Sequence, residues 1–299
     1  MELYAPRYYL HFRCIADRCS HSCCVGWEIG IDEDTLAYYR ALPGKLGNEL
    51  RAGIVEGEDG ACFALRPDGK CPMLDEHGLC RIISALGEGG LCDICHEHPR
   101  FYNIVGAHAE CGIGASCEEA ARLILSTEDY RTLLPVGDLP GEEAHGELDA
   151  AAQREELYAR LADHACSLAE RLAEIEQAHA ISTEMGRKAQ AALFSSLEYL
   201  AEPHRALLAE LAPVPWPEGE AALACERFFA YLVYRHASPA QGEREFRAAI
   251  GFALVLCRLF CSLCAQGYDP VVAAVLLSEE LEYSEENTEA IKRSILPPV

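Results

Sequence analysis

No apolar run in this chain reaches the roughly 18–20 residues that a helix needs to cross a bilayer. The most apolar stretch, IGFALVLCRLFCSLCA (250–265), is interrupted by Arg258 and is expected to be a buried helix, with no membrane partner. The N-terminus, MELYAPRYYLHFRC, has neither the basic n-region nor the apolar core of a signal peptide, so a cytoplasmic protein is expected. Positive charge is scarce as well: 25 Lys and Arg stand against 48 Asp and Glu, a formal net charge of −23. That balance argues against nucleic acid as a partner and favours a basic or lysine-bearing one, although solubility alone accounts for most of it. Internal repeats and low-complexity segments are absent, and tryptophan occurs only twice.

Cysteine is the residue in excess. There are 16, and eleven fall within the first 117 residues. A secreted chain would join them in disulfides; a reducing compartment makes metal or cluster ligation the better account. One group is Cys14, Cys19, Cys23 and Cys24, spaced C-x4-C-x3-C-C, and a second comprises Cys71, Cys80, Cys92, Cys95, Cys111 and Cys117. Thiolates so crowded suit zinc, or iron in an iron-sulfur cluster. Only CDIC has the C-x2-C spacing of a zinc knuckle, so a paired-knuckle template fits poorly. CDICH (92–96) formally matches a haem-attachment signal, which the missing export signal argues against. His96 and His98 are either substitute ligands or surface residues. Trp27, closing HSCCVGW (21–27), either shields a metal site or packs in a core. Cys166, Cys225, Cys257, Cys261 and Cys264 read as small buried residues on helices.

The fold class expected is mainly α: an irregular cysteine-rich N-terminal metal-binding module over 1–134, a linker over 135–147 (PVGDLPGEEAHGE), and a helical domain over 148–299. In the first part, Asp32 caps a helix from Glu33 to about Leu42, and Ser116 with Glu119 forms a capping box that places Cys117 at a helix N-terminus, where the dipole favours thiolate. Farther on, Leu157, Leu161, Ala165, Leu168, Leu172 and Ile175 form one stripe at spacings of four and three, which predicts one long amphipathic helix. Another helix carries Leu193, Leu197 and Leu200, and Pro203 opens the next. Helices are expected over about 220–237 and 243–266, then after Asp269-Pro270, and finally from Ser284 until ILPPV ends it. ECGIGASC (110–117) has the E-x-G-x-G pattern of a cofactor-binding loop, but YNIVGAHA before it is a poor strand.

The stretches FRCIADRCSHSCCVGWEIGID, CPMLDEHGLCRI, LCDICHEHPRFY and SCEEAARLIL, in that order, resemble the flagellin lysine-N-methylase family, a cysteine-rich type described as zinc- or iron-chelating. Weaker similarity continues through CERFFAYLVYRH, REFRAAIGFALVLCRLF and LEYSEENTEAI. The resemblance implies methyl transfer from S-adenosylmethionine to lysine side chains of flagellin, by a protein carrying an iron-sulfur cluster, [4Fe-4S] in type, with zinc the alternative. It carries over Cys14, Cys19, Cys23, Cys24, Cys71, Cys80, Cys95 and Cys117 as metal ligands. Eight thiolates exceed the four of one cubane, so either there are two sites or some cysteines are structural. Glu118 replaces an expected proline, and Tyr283 an expected histidine. The C-x3-C-x2-C arrangement of radical S-adenosylmethionine enzymes is missing, since Cys19 and Cys23 are followed by Gly26. Lysine methylation needs a neutral amine from a group whose pKa is about 10.4, yet no base, catalytic residue or cofactor pocket stands out in the sequence. The rival expectation is a zinc- or cluster-stabilised redox-sensing or interaction protein without catalysis.

Overall fold

A computed structural model describes residues 1–20, 22–57 and 60–296, so His21 of the HSCCVGW run and the prolines of the closing ILPPV lie outside the described residues. The chain divides into two compact units: Arg13–Arg100, and Met1–Phe12 together with Phe101–Val299. These boundaries differ from those expected at 134 and 148, and the reason is strand pairing. Strand β1 (Glu2–Pro6) runs parallel to β6 (His108–Ile113), with Leu3 opposite Ala109, and antiparallel to β7 (Leu133–Asp138), with Pro6 opposite Leu133. The first twelve residues therefore belong with the later chain, and β7 occupies the start of the expected linker.

In the smaller unit, β2 (Gly30–Ile31), β4 (Gly60–Phe63) and β3 (Ile54–Gly57) form an antiparallel sheet. Around it lie α1 (Glu33–Ala41), α2 (Gly44–Gly53), α3 (Arg81–Leu86) and α4 (Asp93–Glu97). Asp32 caps α1 as expected, its Oδ1 accepting from the Thr35 N–H at 2.8 Å. Arg51 on α2 donates to the carbonyls of Arg40 and Leu42, which terminate α1. Tyr39, Leu50, Phe63 and Met73 are buried, and the Tyr39 hydroxyl donates to the Gly90 carbonyl at 2.7 Å. Cys71 and Cys92 pack in the same apolar cluster.

The larger unit is mainly helical. Its sheet has the order β5-β6-β1-β7, with β5 spanning Arg100–Val105. The segment YNIVGAHA, a poor strand by composition, spans parts of β5 and β6 and the turn at Gly106-Ala107. Helix α5 (Glu118–Ser126) packs on α10 (Gly219–His236), which packs on α11 (Glu243–Ala265). The remaining helices are α6 (Ala150–Leu161), α7 (Leu168–Ala178), α8 (Arg187–Ser196), α9 (Glu202–Glu210), α12 (Pro270–Leu277) and α13 (Glu285–Ile295). Pro203 lies in the first turn of α9, while Asp269 and Ser284 cap α12 and α13 through their side chains. Helix α11 has the length and apolarity of a membrane span, but 78% of its apolar window is buried inside the protein.

Two expectations for helices are corrected. The stripe from Leu157 to Ile175 belongs to two helices, because Ser167 caps α7 through a reciprocal box with Glu170, while Arg171 donates to the Leu161 carbonyl at the end of α6. Cys166 lies in that connection, half-exposed, rather than buried on a helix. The expected Ser116–Glu119 box does not form either. Cys117 is the N-cap of α5 without a side-chain cap bond, and Glu119 instead pairs with Arg122 at 2.6 Å. A bidentate carboxylate–guanidinium pair outweighs one cap bond.

Candidate functional site

Thiols converge in the smaller unit. Backbone pairing brings the first two sequence groups together: the Cys71 N–H donates to the Cys24 carbonyl at 2.8 Å, Val25 bridges Lys70, and the Gly26 N–H donates to the Gly69 carbonyl at 2.9 Å. Gly26 sits at φ +82, a left-handed turn that a side chain would strain. Cys80 is held by a bridge to Leu74. Cys92 is the N-cap of α4, whose first N–H, that of Asp93, donates to Asp32 Oδ2 at 3.0 Å. Asp32 thus ties the start of α1 to the C-x2-C segment. The Asp93 bond and the Thr35 bond hold its carboxyl below the usual range.

The electrostatics trace the cluster. A hydrogen bond with Cys23, burial, and the nearby Cys71 and Cys80 push the Cys24 thiol far up. Its pair with Cys92, burial, and the nearby Cys24 and Cys23 push Cys95 up. Hydrogen bonding from Cys95 outweighs burial at Cys92 and brings that thiol down to about 7. Six cysteines, Cys23, Cys24, Cys71, Cys80, Cys92 and Cys95, therefore share one electrostatic neighbourhood. Cys92, which the resemblance omits, lies beside Cys95; the knuckle spacing of CDIC is the signal that marks it.

Of the other assigned thiols, Cys14 and Cys19 belong to the same smaller unit. Cys14 is exposed and Cys19 half-buried on either side of the turn Ala16–Arg18, and neither is among the groups acting most strongly on Cys24, Cys71 or Cys95. Cys117 belongs to the larger unit. His96 Nδ1 lies 3.0 Å from Glu97 Oε1, and Trp27 is half-buried. No disulfide links any of the sixteen cysteines. Among the described residues no group of three or more His, Cys, Asp or Glu side chains is arranged to hold a metal ion. The thiol-only donor set fits a soft metal in its chemistry, while its side chains are paired with one another by hydrogen bonds, Cys23 with Cys24 and Cys92 with Cys95.

A second concentration of chemistry lies in the larger unit at a π-helical turn, Ser278–Glu282, where the stretches CERFFAYLVYRH and LEYSEENTEAI meet. Glu282 is buried. Its carboxylate accepts from Tyr231 Oη at 2.8 Å and from Ser278 Oγ, with His236 Nε2 at 3.0 Å and Arg235 Nε at 3.4 Å. Burial alone would raise this carboxyl, but Arg235, His236 and Ser278 together hold it at about 2. Burial lowers His236 from its ordinary value, against the opposing pull of Glu282. Tyr231 in turn accepts the Ala115 N–H at 2.9 Å, tying the glycine-rich loop to the cluster. Arg235 lies over both the Phe101 ring, at 4.9 Å, and the Tyr283 ring, at 4.3 Å. A Cβ at Gly114 would stand 2.1 Å from Tyr283 Oη, so the loop requires glycine for close packing. Tyr283 and Arg235 pack beside the E-x-G-x-G loop at Gly114. The core thiols Cys225 and Cys261 lie 3.4 Å apart between α10 and α11 and are buried, as expected for small apolar residues.

Three known proteins are similar to parts of this chain. Flagellar biosynthetic protein FliU of Salmonella muenchen is 28% identical over 162 residues, 51% of this chain and 92% of that protein. Lysine-N-methylases of Salmonella choleraesuis (strain SC-B67) and Salmonella typhimurium (strain LT2) are each 28% identical over 137 residues, 43% of this chain and 33% of theirs. The chain thus spans about a third of the lysine-N-methylases it matches, to which these alignments support a distant relationship. No family model and no solved structure matches the chain.

Proposed function

We propose that this protein methylates lysine side chains, with S-adenosylmethionine as methyl donor and flagellin as substrate. The observation that carries the reading is the 28% identity to two lysine-N-methylases over 137 residues; the match to a flagellar biosynthetic protein favours flagellin. The six-thiol neighbourhood supports a resident soft metal, an iron-sulfur cluster of [4Fe-4S] type in this reading, with four of Cys23, Cys24, Cys71, Cys80, Cys92 and Cys95 as its ligands. When bound, such a group supplies a Lewis-acidic, redox-capable iron held by thiolates. The chain's own part is to keep those thiols together: Asp32 anchors the Cys92–Cys95 segment, and pairing across Cys24 and Cys71 fixes the other strand of the site. The net charge of −23 favours approach of a lysine-bearing protein.

The test incubates anaerobically purified protein with S-adenosylmethionine and flagellin and reads added methyl groups on lysine by mass spectrometry. Transfer by the metal-loaded protein is expected; a fully loaded preparation that leaves every lysine unchanged sinks the reading. Cys71→Ser and Cys95→Ser should each lower bound iron, whereas Cys166→Ser, outside the cluster, should not. The mutual pairing of Cys92 with Cys95 favours a second reading, a zinc-stabilised or redox-responsive interaction module without catalysis. A colourless protein with stoichiometric zinc and no transferase activity supports that alternative.

A further inference from the structure

The larger unit holds a cavity of about 500 Å³, walled by helices α8 and α11 and by the segment around Thr183. Ligand pockets run to roughly 300–1,000 Å³, so it has room for a nucleoside-sized molecule, whereas the charged cleft of about 250 Å³ around Arg160 and Glu243 does not. Phe194, Val255 and Leu259 give the larger cavity an apolar wall, against which a flat ring can bury its faces. Two charges of opposite sign complete its lining. Arg258 is oriented by three contacts: its Nε donates to Thr183 Oγ1 at 3.1 Å, its Nη2 lies 3.7 Å from Glu176, and its guanidinium lies over the Trp216 ring at 4.5 Å. Glu184, exposed on the neighbouring segment, brings a carboxylate.

We propose that this cavity binds the methyl donor, its adenine against the apolar wall, its carboxylate on Arg258 and its ammonium facing Glu184. Volume, a ring-compatible wall, an oriented guanidinium and a nearby carboxylate match a zwitterionic amino-acid arm joined to an aromatic base. The inference rests on the methyl-donor reading above and assigns its place.

The test measures, by isothermal titration of the purified full chain, the affinity of S-adenosylhomocysteine, S-adenosylmethionine and decarboxylated S-adenosylmethionine. Wild type should bind the first two and take the decarboxylated ligand at least ~10-fold more weakly, as expected for loss of a partly buried charge-assisted bond. Arg258→Met should weaken the carboxylate-bearing ligands about 10-fold and abolish that discrimination. Glu184→Gln, at an exposed position that folding does not depend on, should weaken both forms of the methyl donor, and it decides the matter if Arg258→Met fails to fold. Wild type that binds none of the three ligands overturns the methyl-donor reading itself. Wild type that binds, with discrimination unchanged in Arg258→Met or affinity unchanged in Glu184→Gln, leaves that reading standing and overturns the cavity assignment.

Discussion

Glu282 is a buried carboxylate on which Tyr231, Ser278, His236 and Arg235 converge. Removing the charge while leaving the half-buried Arg235 without its carboxylate should cost about 2–4 kcal/mol, so Glu282→Gln is expected to lower the denaturant midpoint. The pH dependence follows from two shifts with the same consequence. His236 is held below its ordinary 6.5, so the unfolded chain takes up its proton first and stability falls as the pH drops below 6.5. Glu282 sits at about 2 against an ordinary 4.5, so its contribution is complete above 4.5 and disappears as the pH falls from there toward 2. Denaturant melts across this range should show both losses in wild type, and the lower one should shrink in Glu282→Gln. An unchanged slope below pH 4.5 would assign that loss to other carboxylates. The sequence did not bring these groups together, since Tyr231, Arg235 and His236 lie on α10 and Ser278 and Glu282 on the π-helical turn, and only packing joins the two segments. Asp32 was half legible: its cap on α1 follows from the sequence, its second bond, to the Asp93 N–H, does not.

At the scale of elements, local chemistry decided where helices begin better than periodicity decided how long they run. The starts of α1, α12 and α13 follow from Asp32, Asp269 and Ser284, whose oxygens accept nearby backbone N–H groups. The stripe through α6 and α7 reads as continuous because the break keeps both helices facing one core, which periodicity alone cannot detect. Ser167→Ala should therefore cost ~1 kcal/mol by removing the α7 cap. The matching change at Ser116 should cost almost nothing: its hydroxyl is buried with no hydrogen-bond partner among the described residues. Thermal melts of the two variants separate the outcomes, and a loss of about 1 kcal/mol at Ser116 would restore the capping box that its sequence suggests.

Over the whole molecule, the proposed metal should matter to one unit and not to the other. Stripping bound metal with a chelator is expected to raise amide hydrogen exchange in Tyr39 and the β3–β4 ladder, whose core includes Cys71 and Cys92, while α10 and α11 keep their protection through an apolar core of their own. Equal loss of protection in both units would contradict this. The sequence by itself determined a mainly helical chain, an excess of acid, a cysteine-rich early region and most helix starts, because composition, spacing and caps act within a few residues of one another. Tertiary structure alone decided that residues 1–12 pair with strands beyond residue 100, that Cys92 joins Cys23, Cys24, Cys71, Cys80 and Cys95 while Cys117 lies in the other unit, and that a buried carboxylate centres on Glu282. Strand pairing, thiol proximity and desolvation are properties of segments far apart in the chain, and they take definite form only when the backbone brings those segments together.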